Sequence, residues 1–372
     1  MPFSYRKSKM LRRSRVMRGS WRVWKPRVVF WIGAIAIGLV SVAFAWAADE
    51  AQMLFKTATS SGAYSFLLPL LLTPAGFILC TWLAMTFFPN AQGSGIPQAI
   101  AARHLRDEQS RSALLSLKLA AGKIALTVIG LFSGASIGRE GPTVQVGASI
   151  MLAAGRFGGM AQGKGLILAG SAAGIAAAFN TPLAGIVFAI EEMSRTYESR
   201  ANGLVLTAVV LSGLAALGLV GSYTYFGENS LAVATRLDWL MVVLCGVGGG
   251  ALGASFSHGA LTLSRRIRRW AQPAPLKRMI MLAGGCGLAV AVIGIVSGGQ
   301  TFGTGYDQAR SMLEGEMLSP LFFLEKLAST FLSMISGIPG GIFAPSLAVG
   351  VGFGGTLGTL LGASVALSAM LG

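Results

Sequence analysis

The stretch "GREGP" (residues 138–142) sets an arginine and a glutamate side by side between glycines. No Asp, Glu, Lys or Arg precedes it back to Ile124, and none follows from Gly141 to Gly155. An acid inside so apolar a region is costly and marks function by default. Pro142 stands just behind the pair. Proline is favoured in the first turn of a helix, because its missing N–H would be unpaired there anyway. Glycine lets the backbone fold tightly and come close to a ligand. "GREGP" therefore predicts a helix start with free N–H groups and with Glu140 at the positive end of the dipole. Neighbouring residues on a helix do not face each other, so a buried pair of Arg139 with Glu140 is not expected.

The surroundings are those of a membrane chain. Of 372 residues, 53% are hydrophobic and 12% charged, with a mean hydropathy of +0.66. Soluble domains carry about a quarter charged residues. Apolar segments recur at 28–48, 65–88, 113–137, 143–155, 165–190, 203–221, 237–257, 279–298, 318–337 and 343–371. The reading is an all-α polytopic membrane protein, and several segments are too short or too rich in Gly and Pro to be simple spans. Irregular backbone survives at membrane depth only where protein covers it or a polar cavity adjoins it.

The net charge of +16 does not point to nucleic acid, because of where it lies. Ten Lys/Arg fall in residues 1–27 with no acid among them, and an apolar run follows at once. That is the positive-inside pattern, placing the N-terminus in the cytoplasm. The apolar run is long enough to span and the basic region too long for a signal peptide. The tail either rests on anionic lipid, with Trp21 and Trp24 at the interface, or is simply solvated. "EEMSRTYESR" (191–200) and "SRRIRRWAQPAPLKR" (264–278) read as cytoplasmic loops, and "RHLRDEQSR" (103–111) as polar punctuation. Cys80, Cys245 and Cys286 sit in apolar segments without metal spacing and read as reduced packing residues. His104 and His258 are far apart, so no metal site is expected. "SGIP" occurs at 94–97 and again at 336–339, a short echo of the kind that structural repeats leave.

Two further loops share the chemistry of "GREGP": "GSGIP" (93–97) and "GIFAP" (341–345). Each predicts a helix start, and helix starts hold anions without a full positive charge. Conduction needs binding strong enough to enter and weak enough to leave. Ser94 adds a hydroxyl, while Ile342 and Phe343 offer backbone N–H groups. Caps and turns account for any one such loop; three in one membrane chain ask for more.

In this order and spacing the three loops resemble the signature motifs of the CLC family of chloride channels and chloride/proton antiporters. The resemblance runs from about residue 28 to the end and includes "LAGSAAGIAAAFNTPLAGIVFAIEEM" (168–193). It implies an inverted-repeat bundle of short, broken helices: a basic cytoplasmic tail (1–27), a first repeat (28–221) and an incomplete second one (222–372). It implies chloride contacts from Ser94, Ile342 and Phe343. Gly93, Gly95, Ile96, Pro97, Gly138, Arg139, Gly141, Pro142, Gly341, Ala344 and Pro345 complete the selectivity motifs. It makes Glu140 the external gate and Glu192 the inner proton-transfer residue, with Glu191 a supporting neighbour. Pure channels of the family usually lack an acid at the inner place, which favours an antiporter. Lys123, the only charge between Lys118 and Arg139, either biases the site toward anions or snorkels.

The expectation is coupled chloride/proton exchange by a multi-pass protein of the inner (plasma) membrane. Its partners are chloride, protons and membrane lipid. It forms a homodimer, uses no cofactor or metal, binds no nucleic acid and is not an enzyme. An intramembrane serine protease using Ser94 or Ser336 with a histidine is disfavoured, because His258, near Ser255 and Ser257, lacks a convincing Gly-flanked nucleophile partner. A fluoride exporter is disfavoured by the serine of "GSGIP" and the proline of "GREGP". The family's late tyrosine has no counterpart, since no tyrosine follows Tyr306 in this sequence. With one donor fewer, weaker anion selectivity is expected. A passive chloride channel, and a truncated chain without transport, are the alternatives.

Overall fold

The computed structural model describes residues 21–62, 64–194, 202–221 and 231–372. Most of the basic tail (1–20), residues 195–200 of the "EEMSRTYESR" loop, and the start of the second expected repeat (222–230) lie outside them. The described residues are helical throughout, with two isolated bridges and no named strand among them. Among the described residues, seven apolar helical stretches are long enough to cross a membrane: 24–60, 65–86, 108–132, 203–220, 236–271, 275–296 and 343–361. A bilayer core of about 30 Å needs about 20 residues.

The helices run in chain order as α1 (Trp21–Ser60), α2 (Pro69–Thr86), α3 (Ile96–His104), α4 (Glu108–Leu114), α5 (Leu117–Phe132), α6 (Glu140–Gly158), α7 (Gly163–Ala178) and α8 (Pro182–Phe188). A π turn (Ala189–Ser194) continues α8, followed by α9 (Asn202–Val220), α10 (Arg236–Ala271), α11 (Pro275–Val296), α12 (Tyr306–Leu313), α13 (Phe322–Ile335), α14 (Phe343–Leu361) and α15 (Val365–Leu371).

Two compact units interleave along the chain. One comprises Met1–Val42, Ala99–Leu117 and Val144–Gly221; the other comprises Ala43–Gln98, Lys118–Thr143 and Ser222–Gly372. In the first, small residues let backbones touch, as lipid-embedded helices require. Leu166 to Ala178 of α7 are buried without a break. A Cβ on Gly170 would lie 2.6 Å from the Met151 Cβ, so α6 and α7 cross at a point only glycine fits. Ser212 of α9 donates to the Ala173 carbonyl at 2.9 Å. In the second unit Phe77, Cys80, Leu126, Leu131, Ile137, Ala283, Val290 and Ile338 form the core. The three cysteines are buried and free.

The second unit contains an internal correspondence that "SGIP" does not mark. "KIALTVIGLFSGASIGREGP" (123–142) and "KLASTFLSMISGIPGGIFAP" (326–345) share seven of twenty positions in ungapped register: Lys, Ala, Thr, Ser, Gly, Gly and Pro. Each half does the same work. A helix, α5 or α13, carries the buried lysine and ends two residues before Gly134 or Gly337, whose φ values of +79° and +85° require glycine. The next helix then starts six residues on, at Glu140 or Phe343. In this register Gly138 corresponds to Gly341, and the two residues pair with each other. Gly138 N–H donates to the Gly341 carbonyl at 2.6 Å, and Gly341 N–H returns the bond at 2.7 Å. Reciprocal pairing of equivalent residues is what a two-fold relation between halves produces. The "SGIP" copies, by contrast, are neighbours: Gly93 forms a parallel bridge with Pro339.

Lys326 is wholly buried and donates to the carbonyls of Thr301 and Gly303 at 2.9 and 2.7 Å. Leaving a buried acceptor without a donor costs about 1–3 kcal/mol. Lys326→Met is therefore expected to lower thermal stability in detergent by roughly 3 kcal/mol for the two carbonyls. Tryptophan fluorescence during heating measures this, and an unchanged midpoint would refute the clasp.

Candidate functional site

The three Gly/Pro loops come together in the second unit. Each stands at a helix start: α3 begins at Ile96, α6 at Glu140 and α14 at Phe343. Pro97, Pro142 and Pro345 all fall in the first turn of their helices, where a missing N–H costs nothing. The Gly138–Gly341 pair ties the second loop to the third, and Gly340 N–H donates to the Gly93 carbonyl at 3.2 Å, tying the third to the first. Gly141 closes the ring. A Cβ added there would lie 2.9 Å from the Ser94 carbonyl oxygen, 3.2 Å from the Ser94 Cβ and 3.4 Å from the Gly341 Cα. A Cβ on Gly138 would meet Ala344 Cβ and Pro345 Cδ, each at 3.3 Å. Gly93 and Gly95 adopt φ of +71° and +100°, which explains glycine on both sides of Ser94.

Ser94, Glu140, Ile342 and Phe343 are thus neighbours. Ser94 is half-buried between its two glycines. Ile342 caps α14 and Phe343 opens it, so the N–H groups of both lie at a helix start. The Phe343 ring itself is exposed. Glu140 is buried, and its carboxylate folds back toward Gly138, where an added Cβ would collide with Oε2. The acid thus lies over the start of its own helix, the place a bound anion would seek.

The supports of the cradle were not legible in the sequence. Lys123 does not snorkel. It is wholly buried and donates to the carbonyls of Ala91 and Gly93 at 2.7 and 2.5 Å, pinning the chain just before Ser94. Arg139 binds the Ala45 carbonyl at 2.7 Å and Asp49 at 2.6 Å, both on α1. Two α13 hydroxyls hold the approach to "GREGP": Ser333 Oγ accepts from Ser136 N–H at 3.1 Å, and Thr330 Oγ lies 2.9 Å from Ser136 Oγ.

Glu192 lies in the first unit, in the π turn that ends α8, and is exposed together with Glu191. Arg103, read from sequence as loop punctuation, is buried in the last turn of α3. It donates to the Met193 carbonyl at 2.6 Å, next to Glu192. His104 and His258 take part in no metal-type cluster among the described residues.

Interrupted helices whose starts converge on one place, in a chain with helices long and apolar enough to span, are the architecture of a membrane transport protein. The chain belongs to the voltage gated chloride channel family, whose model matches residues 76–372. It is 30% identical over 381 residues to the H(+)/Cl(-) exchange transporter ClcA of Salmonella schwarzengrund, covering 97% of this chain and 76% of that one. The same protein of Salmonella typhimurium matches to the same extent, 30% over 381 residues. Among solved structures, a slow cyanobacterial Cl-/H+ antiporter superposes with a TM-score of 0.76 at 22% identity, over 93% of this chain and 83% of the other. A CLC-type fluoride/proton antiporter gives 0.75 at 24% identity, over 92% and 83%. The chain is accordingly a multi-pass membrane protein of the CLC fold.

Proposed function

We propose that this protein exchanges chloride for protons across the membrane. The observation that carries the proposal is the locked junction of three helix starts with the Glu140 carboxylate laid over one of them. Backbone N–H groups and dipole ends attract an anion but release it more readily than a lysine would. In this reading Ser94 Oγ and the N–H groups of Ile342 and Phe343 hold chloride. Glu140, ionised, fills the outer position in competition with it. Once protonated, the side chain no longer matches the donors and swings out, so one residue trades a proton for an anion. Glu192, exposed at the end of α8, relays protons to and from the cytoplasm. Relatives named as H(+)/Cl(-) exchange transporters support coupling over passive conduction. The reading includes a plasma-membrane homodimer with a cytoplasmic N-terminus. It needs no cofactor beyond the transported ions.

The test is a chloride gradient across liposomes holding the purified protein, with proton movement followed by a pH electrode. Uphill proton movement is expected. Glu192→Gln should keep chloride flux and lose about 10²-fold of proton flux, the contribution of one positioned proton-transfer group. Chloride flux without proton movement in the parent protein would make it a channel.

A further inference from the structure

The turn between α10 and α11 has no part in the anion site, yet it concentrates charge. Arg265, Arg266, Arg268 and Arg269 close α10, and Lys277 and Arg278 open α11. All are exposed except Arg278, which is half-buried. The sequence holds no acid between Asp238 and Asp307. Among the described residues, the ion pairs involve other cations: Lys56, Arg139, Arg156 and Arg310. Arg278 lies over the exposed Trp270 ring, 5.4 Å from its centroid, and also donates to the Trp270 carbonyl.

The length of α10 sets this turn in a membrane frame. Trp239 and Trp270 are both exposed and stand 31 residues apart on one helix. At 1.5 Å per residue they are separated by about 46 Å. A bilayer including its headgroups is about 40–45 Å thick. Tryptophan favours both interfaces, so a slightly tilted α10 puts Trp270 at one headgroup layer with the cations around it. Arg265, Arg268 and Arg269 share one helix face by their spacing of three and four. A positive charge of either kind would serve to orient the hairpin. Five of the six cations are arginines, whose planar fork matches phosphate oxygens in pairs.

We propose that the α10–α11 turn is a binding surface for anionic phospholipid headgroups. The guanidinium groups hold the lipid phosphate, and Trp270, pinned by Arg278, seats the glycerol region beside them. The polypeptide provides no carboxylate to neutralise this charge nearby in sequence, so the lipid does.

The experiment uses full-length protein equilibrated in mixed micelles of equal dioleoylphosphatidylglycerol and dioleoylphosphatidylcholine, then purified and extracted for lipid mass spectrometry. Wild type should retain phosphatidylglycerol at least threefold above the micelle ratio. The quadruple variant Arg265→Gln, Arg268→Gln, Arg269→Gln, Arg278→Gln should fall to the micelle ratio. A charge-matched variant, Lys56→Gln, Arg106→Gln, Lys118→Gln and Lys164→Gln, all exposed and outside both the basic tail and this turn, should behave as wild type. Should the quadruple variant fail to fold, 0.5 M NaCl on wild type should still reduce the enrichment. Three results would overturn the proposal: no enrichment in wild type, equal loss in the charge-matched variant, or displacement of the lipid by millimolar glycerol 3-phosphate, which would mark a site for free phosphate.

Discussion

Replacing Glu140 with alanine is expected to stop proton movement while chloride continues to cross. Glu140 is buried in the first turn of α6, with its carboxylate over Gly138. The N–H groups at that helix start attract anions of either origin, chloride or the side chain's own carboxylate. Alanine removes the internal competitor and leaves the donors in place, so the outer position becomes open to chloride. It also removes a titratable group that alternates between charged and neutral forms, which ties proton uptake to anion release. Proton flux should drop about 10²-fold or more, and chloride flux should lose its dependence on pH. Electrode recordings of both ions on the same liposomes measure this. Proton movement at the parent rate in Glu140→Ala would mean that coupling resides elsewhere.

The second large effect concerns Lys123. Its ammonium holds the Ala91 and Gly93 carbonyls, and Gly93 adjoins Ser94 and also accepts from Gly340. Lys123→Met keeps the bulk and removes the donors. The Ala91 carbonyl is then orphaned at a cost of about 1–3 kcal/mol, Gly93 keeps only its bond from Gly340, and the first loop can relieve that cost only by moving. Movement there displaces Ser94 from the other two helix starts. Chloride binding should weaken about tenfold, equivalent to ~1.4 kcal/mol, as measured by isothermal titration in detergent. Lys326→Met is the control. It loses the corresponding clasp on Thr301 and Gly303, so stability should fall while chloride affinity holds. If both variants bind chloride like the parent, the clasp at Lys123 does not shape the site.

How much of this was readable in advance depends on the range of the interaction. The helix starts at Ile96, Glu140 and Phe343 were legible because glycine before and proline behind are local chemistry, set by φ and by a missing N–H. The membrane class was legible because exposed charge is scarce along the whole chain. The supports were not, because their partners are remote and leave no pattern. Arg139 reaches Asp49 across 90 residues, and Lys123 finds carbonyls that any residue could supply. Arg103 sits in a run of charges that reads only as polar punctuation, yet it is buried against the π turn. "SGIP" drew attention as an exact match, while the relation that Gly138 and Gly341 express in their mutual hydrogen bonds was diluted over twenty positions. Glycine-rich membrane sequences blur such registers, because small residues recur for packing alone.

On the proposed function, three helix starts, rather than a cationic side chain, hold the transported anion. Crystals grown in bromide in place of chloride test it most directly, through anomalous scattering. A peak is expected within hydrogen-bond reach of Ser94 Oγ and the N–H groups of Ile342 and Phe343, with a second peak at the Glu140 position appearing in Glu140→Gln. Bromide absent from that junction, or bound instead beside Lys123 or Arg139, would contradict it.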